Sequence, residues 1–210
     1  MTGKTVQKWR KTPACGEPIK DGLFLAFKTP YDNTNINEDD HFTVEIVYDL
    51  FHLKEVDVGL VIDLTKTDRY YDKTKLEKRK IEHFKLPCRG FDEPPTPEET
   101  ATFIAKCKAF RQKNPTKCIG VHCTNGLNRT GFLICAYLAE ELKMNIHDAI
   151  DLFKTCRPPG IEKEFDKEEL VRRYGDPDLA EEISKKLSTL NVDENDNEKE
   201  SNKSKVNLKA

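Results

Sequence analysis

The fold turns on Cys118-Ile119-Gly120-Val121-His122-Cys123-Thr124-Asn125-Gly126-Leu127-Asn128-Arg129-Thr130-Gly131 and the apolar stretch that follows as far as Leu142. Residues 118–122 are short, apolar and partly β-branched, the pattern of a strand buried on both faces. A polar loop follows. A helix then runs from Arg129 to Leu142, and between Phe132 and Ala139 it is apolar nearly all round, so it belongs in the core. A buried strand therefore hands a cysteine to a loop, and after five intervening residues an arginine opens a helix. A thiol becomes a good nucleophile only as its thiolate, which nearby positive potential favours. The helix N-terminus supplies a partial positive charge and unpaired amide donors. A loop curled above it can turn its amides toward a tetrahedral anion, with Gly126 granting the backbone angles this needs. Arg129 adds a planar fork for two phosphoryl oxygens. Read alone, Cys123 would be a buried core thiol and Arg129 an ordinary first-turn arginine. Their joint occurrence with strand, glycine and buried helix favours a phosphate-binding, nucleophile-bearing loop.

The rest of the chain supplies a scaffold for that loop. Leu23 to Phe27 reads as extended, Val58 to Leu64 as a buried strand, and His83 to Leu86 as a weaker strand. Phe42, Ile46, Val47, Leu50 and Phe51 share a helical face. Thr96-Pro97-Glu98-Glu99 is a capping box with proline at the first helical position, starting a helix that Asn114-Pro115 stops near Lys113. Further helices are expected after Asn145 and after Asp166, where Asp166 and Glu169 repeat the capping spacing. Alternating strands and helices imply an α/β domain with a mostly parallel central sheet flanked by helices.

Composition narrows the function classes. The 210 residues fit one domain, expected over 1–180, and a charged tail over 181–210. From Asn191 on there are nine charges, four apolar residues and no aromatic, too little apolar surface to offset the entropy of ordering. The net charge of -2 provides no global basic field, so a phosphate-rich substrate must meet a local positive site. Seven cysteines, an odd number without a CxxC pair, argue against a disulfide framework and a zinc site and for a reducing compartment, nuclear or cytosolic. The first residues contain no apolar secretory core, and Phe132 to Ala139 is far too short to span a bilayer, so no membrane association is expected.

The segment HCTNGLNRTG resembles the signature of the protein-tyrosine-phosphatase superfamily, a cysteine, five residues and an arginine. Within that superfamily the chain is similar to the RNA 5′-triphosphatase domain of animal mRNA-capping enzymes. Phe24 to Pro30, Asp63 to Tyr71, Arg157 to Ile161 and Arg172 to Asp176 carry the similarity in the same order, which spans Trp9 to Asp176. The resemblance implies a cysteine-phosphatase fold of the dual-specificity type and a reaction that needs no cofactor or metal. Cys123 attacks the γ-phosphorus of 5′-triphosphate RNA, diphosphate-ended RNA leaves, and water hydrolyses the phosphocysteine. It also implies a nuclear setting and, as partners, an mRNA guanylyltransferase on the same or a separate chain and the transcribing RNA polymerase II. The family usually has histidine where this loop has Asn125, and the backbone cradle does not require that side chain.

Thr124, Asn125, Gly126, Leu127 and Asn128 are expected to line the phosphate. Thr130 is expected to reach the sulfur or the phosphoryl group, although a first-turn threonine also caps helices. Asp63 stands where the resembled family carries an important aspartate, orienting the loop or assisting proton transfer. Read by itself it is a strand-end residue bonding backbone amides. A general acid is only weakly needed, because a terminal phosphate leaving group has a second pKa of about 6. Asp92 is read as a solvated loop residue, and His122 as structural. Arg89 and Arg157 are candidates for contact with the β- and α-phosphates or the RNA backbone. Lys163 belongs to the same basic set, in which Arg172 and Arg173 more simply complement a helix dipole. Aromatic interleaving of the kind that reads bases is absent. Competing readings are a dual-specificity protein phosphatase, an RNA phosphatase removing both γ- and β-phosphates, and an inactive phosphatase-like binding module. The intact Cys123 and Arg129 weigh against the last.

Overall fold

The computed structural model describes residues 3–32, 41–90 and 93–175. Asp92 and the expected tail over 181–210 lie outside the described residues. In chain order the elements are α1 (Gly3–Lys11), β1 (Phe24–Lys28), α2 (Val44–Leu53), β2 (Val58–Asp63), α3 (Thr74–Glu77), β3 (Glu82–Lys85), α4 (Pro97–Lys113), β4 (Cys118–Cys123), α5 (Asn128–Leu142), α6 (Ile146–Cys156) and α7 (Glu164–Tyr174). The four strands form one parallel sheet in the order β1-β4-β2-β3.

Period-two alternation sends each strand's side chains to two separate cores. Phe24, Ala26, Leu60, Ile62, Ile119 and Val121 pack with Phe132, Leu133, Ile134 and Leu138 of α5, Phe103 of α4 and Phe153 of α6. Leu25, Phe27, Val58 and Val61 pack on the other face with Val44, Val47 and Phe51 of α2, Leu76 of α3 and Trp9 of α1. Burial on both faces explains why the strands read as continuous apolar runs. The apolar girdle of α5 is buried from Thr130 to Leu138, as its sequence demands.

The helix boundaries follow local chemistry. Thr96 caps α4: its hydroxyl accepts from the Glu99 N–H at 3.2 Å, and the Glu99 carboxylate accepts from the Thr96 N–H at 2.9 Å. Asn145 caps α6 by accepting from the His147 N–H at 2.9 Å. The last helix departs from expectation. It opens at Glu164 rather than after Asp166, so Asp166 lies within its first turn and is buried. Helices α1 and α3 were not expected at all. Helix α1 is held from its C-terminal end, where the buried Lys28 ammonium donates to the carbonyls of Trp9 and Thr12, each at 3.1 Å. The same ammonium lies 4.2 Å from the centre of the Trp9 ring, and the Trp9 indole N–H donates to the Thr29 carbonyl at 3.0 Å.

Removing the capping hydroxyl in Thr96→Ala is expected to cost about 1 kcal/mol of stability. Urea unfolding checks this, with a lower midpoint and an unchanged slope as the expected result.

Candidate active site

Strand β4 lies between β1 and β2 and ends on Cys123, which puts the sulfur at the carboxyl edge of the sheet. Ligands of open parallel sheets lodge in the crevice at that edge. The loop from Thr124 to Leu127 curls there before α5 begins. Gly126 has φ +63°, and a side-chain carbon on it would collide with the Phe27 carbonyl of β1. Both the dihedral and the close approach of β1 therefore require glycine at this position. The Thr29 N–H donates to the Thr124 carbonyl at 3.1 Å, tying the loop to the exit of β1.

Arg157 grips the loop from behind. Its side chain is fully buried, its Nε donates to the Gly126 carbonyl at 3.2 Å, and its Nη2 donates to the carbonyls of Asn125 at 3.0 Å and Pro13 at 2.8 Å. With those carbonyls engaged outward, the loop amides are left for the interior. Among the described residues no backbone carbonyl accepts from the N–H groups of Thr124, Asn125 or Gly126. The amides of Leu127 and Thr130 serve the Cys123 sulfur.

That setting reverses the usual effect of burial on a thiol. Burial pushes the Cys123 thiol up, but the Arg129 guanidinium, the Thr130 hydroxyl and the Thr130 and Leu127 amides outweigh it and leave the pKa lowered. The other six thiols all go the opposite way, with burial taking Cys88 and Cys118 up to about 12. The buried Thr130 hydroxyl has no hydrogen-bond partner among the described residues, and it is one of the groups that lower the Cys123 pKa.

Arg129 is fixed by three acceptors. Nη1 donates to the Leu64 carbonyl at 2.9 Å and the Cys88 carbonyl at 3.3 Å, and Nη2 donates to the Thr124 hydroxyl at 3.2 Å. A guanidinium has five N–H donors, so about two remain for an anion in the loop.

Cys123, Thr124, Asn125, Leu127, Asn128 and Arg129 line one cavity of about 390 Å³, together with Thr5, Lys8, Gly90, Glu93, Lys163 and Asp166. The Asn128 side-chain oxygen Oδ1 accepts from the N–H groups of Glu162 at 2.7 Å and Lys163 at 3.3 Å, so it seats the segment that carries Lys163. Lys8 reaches the rim from α1 and pairs with Glu162 at 2.5 Å.

Three of the residues expected at the site stand elsewhere. Arg157 supports the loop from the protein side, in place of the expected ligand contact. Arg89 is exposed outside the cavity lining, with its guanidinium 3.3 Å from Glu93. Asp63 lies in a separate polar cluster and lines a different cavity, of about 260 Å³, with Tyr71 and His83. Its carboxylate accepts from the Thr65 N–H at 2.8 Å, the Thr65 hydroxyl at 2.7 Å and the Lys85 ammonium at 2.9 Å. Burial pushes its carboxyl up, but His122, His83, Thr65 and Lys85 more than reverse this and hold it well below the usual carboxylate range. An aspartate so firmly ionised has no proton to donate at neutral pH. Burial takes His122 itself down to about 4, so it is neutral, and the lasting positive charge on Asp63 is Lys85. His122 bridges this cluster to the nucleophile: Nε2 meets the Tyr71 hydroxyl at 2.8 Å and Nδ1 meets the Cys123 carbonyl at 3.4 Å. Arg172 and Arg173 both pair with Glu169 of their own helix, at 2.6 Å each.

Lys8 and Asp166 carried no distinctive sequence signal. One stands on an unforeseen helix, and the other passes for a helix cap.

The catalytic-domain family of the dual specificity phosphatases matches residues 43–174. The chain belongs to that family. This phosphatase is 45% identical over 176 residues to the mRNA-capping enzyme of Danio rerio, a match covering 82% of this chain and 29% of the relative. It is 36% identical over 188 residues to the RNA/RNP complex-1-interacting phosphatase homolog of Caenorhabditis elegans, covering 83% and 81% of the two chains. The phosphatase thus spans under a third of the length of the capping enzymes that it matches. The crystal structure of a Tk-PTP variant shares its fold, with a TM-score of 0.59 at 19% identity over 78% of this chain and 95% of the other.

Two outcomes test this site. Alkylation of Cys123 by iodoacetamide is expected to level off at a lower pH than for an ordinary thiol. Because Arg129 favours the thiolate, Arg129→Met is expected to move that plateau to higher pH. For Arg157→Ala, the carbonyls of Gly126, Asn125 and Pro13 lose their donor and a fully buried side chain is removed, and the stability loss is expected to be on the order of 3 kcal/mol. Thermal melting and phosphatase turnover are expected to fall together, whereas a ligand contact would raise KM with melting unchanged.

Proposed function

We propose that the chain is an RNA 5′-phosphatase that removes the γ-phosphate of triphosphate-ended RNA and leaves a diphosphate end. The observation that carries this reading is that the activated Cys123 shares its cavity with Arg129, Lys163 and Lys8. Arg129 and the loop amides cradle the phosphoryl group being transferred, and the two lysines provide positive charge for the β- and α-phosphates further out. Cys123 attacks the γ-phosphorus in line, the diphosphate end departs, and the phosphocysteine is hydrolysed. A diphosphate leaving group has a second pKa of about 6, so its departure needs little protonation, consistent with Asp63 being ionised and away from the cavity lining. The 45% identity to an mRNA-capping enzyme supports an RNA substrate. Diphosphate-ended RNA is the acceptor for guanylyl transfer, so a guanylyltransferase, on this chain's parent protein or a separate one, is the proposed next enzyme. A nuclear location beside transcribing RNA polymerase II belongs to the same reading.

A protein substrate is the second reading, favoured by the dual-specificity family match. Thin-layer analysis of products from γ- and β-labelled triphosphate RNA, in the presence of a chelator, separates the two. Expected are labelled orthophosphate from the γ-position only, loss of at least about 10³-fold in Cys123→Ser, and much slower release from a phosphotyrosine peptide. Orthophosphate from the β-position would redirect the proposal to an enzyme that removes both phosphates. Peptide turnover without RNA turnover would replace it with the protein-phosphatase reading.

A further inference from the structure

Two acidic groups that the reaction above does not use line the cavity, Glu93 and Asp166, and of these Glu93 is exposed and Asp166 is buried. Asp166 lies in the first turn of α7, is 2% exposed, and lines the same cavity as Cys123 and Arg129. Its Oδ1 is buried and has no hydrogen-bond partner among the described residues. A first-turn aspartate normally bonds helix amides, and this one leaves an oxygen unspent in the cavity that also holds the nucleophile.

We propose that Asp166 is the general base for the second half-reaction, taking a proton from the water that hydrolyses the phosphocysteine. Water oxygen bonds to phosphorus as the phosphorus–sulfur bond breaks, and that electron pair returns to Cys123 as thiolate. One water proton passes to the Asp166 carboxylate and the other leaves on hydrogen phosphate. The carboxylic acid then returns its proton to solvent.

The surroundings suit this role. The charged groups that share the cavity with Asp166 are Arg129 of α5, Lys163 of the preceding turn, Lys8 of α1, Glu93 and the Cys123 thiolate. Burial raises the Asp166 carboxyl to about 6, with Lys163 and Arg129 pulling against it. A base of that strength is ionised at neutral pH and holds a water proton far better than an ordinary aspartate. A raised pKa also means that ionising Asp166 costs stability. Its favourable contribution is complete below about pH 4 and is lost as pH rises through about 6.

The inference rests on Cys123 as nucleophile and not on RNA as substrate. The test is therefore burst kinetics of D166N with both p-nitrophenyl phosphate and γ-labelled triphosphate RNA. The expected result is a first turnover within about threefold of wild type, followed by steady-state release slowed by about 10²-fold. The limb of the steady-state pH profile that rises near pH 6 is expected to vanish in D166N and to return, with part of the rate, in D166E. Melting of D166N at pH 7 is expected at or above the wild-type temperature. Unchanged steady-state turnover, an equal loss in burst and steady state, or a large drop in melting temperature would each overturn the proposal. A burst with p-nitrophenyl phosphate alone would sustain Asp166 as the base and overturn only the RNA reading.

Discussion

A peptide loop that turns its amides inward around an anion must turn its carbonyls outward. In this protein the outward side faces the buried Arg157 and the partly buried ground around it, where an unpaired carbonyl is expensive. Arg157 resolves the conflict by donating to Asn125 and Gly126 from behind, while Thr29 donates to Thr124. The arginine is itself costly to bury, and its pKa is down to about 10 as a result. The Pro13 carbonyl takes a further donor from it. One buried cation thus holds the loop in the shape that makes the opposite face positive, and the lowered pKa of Cys123 depends on that shape.

The site divides its charges between two compartments. On the cavity side are the thiolate, Arg129, Lys163, Lys8 and Asp166. Behind the end of β4, Asp63, Lys85, Tyr71, His83 and the neutral His122 form a separate network that reaches the nucleophile through His122, whose Nδ1 meets the Cys123 carbonyl. An aspartate that matters for activity need not act on substrate, since loss of Asp63 would remove the buried carboxylate that holds the half-buried Lys85 and disturb the strand end that presents the sulfur.

Much of this was legible in the sequence, for identifiable reasons. The strand before Cys123, the glycine, the arginine and the apolar α5 are short-range patterns in which period and position carry the meaning. The capping box of α4 is equally local. Arg157 was visible as a special arginine, but its direction was not, because whether it faces ligand or core depends on how residues 13 and 125–126 meet it in space. Helix α1 was hidden because it is polar apart from Val6 and Trp9 and is anchored by Lys28, a residue on another element. Asp166 was masked by a spacing that fits a helix cap equally well.

On the reading proposed above, phosphoryl transfer runs in two steps through sulfur, the loop and Arg129 stabilise the transferred group, and Asp166 serves the attacking water. The most direct test is rapid-quench peptide mapping during turnover of γ-labelled triphosphate RNA. The account predicts label on the peptide containing Cys123, acquired and lost at rates that match orthophosphate release. Orthophosphate release with no label on the protein, or with label on a peptide lacking Cys123, would contradict it.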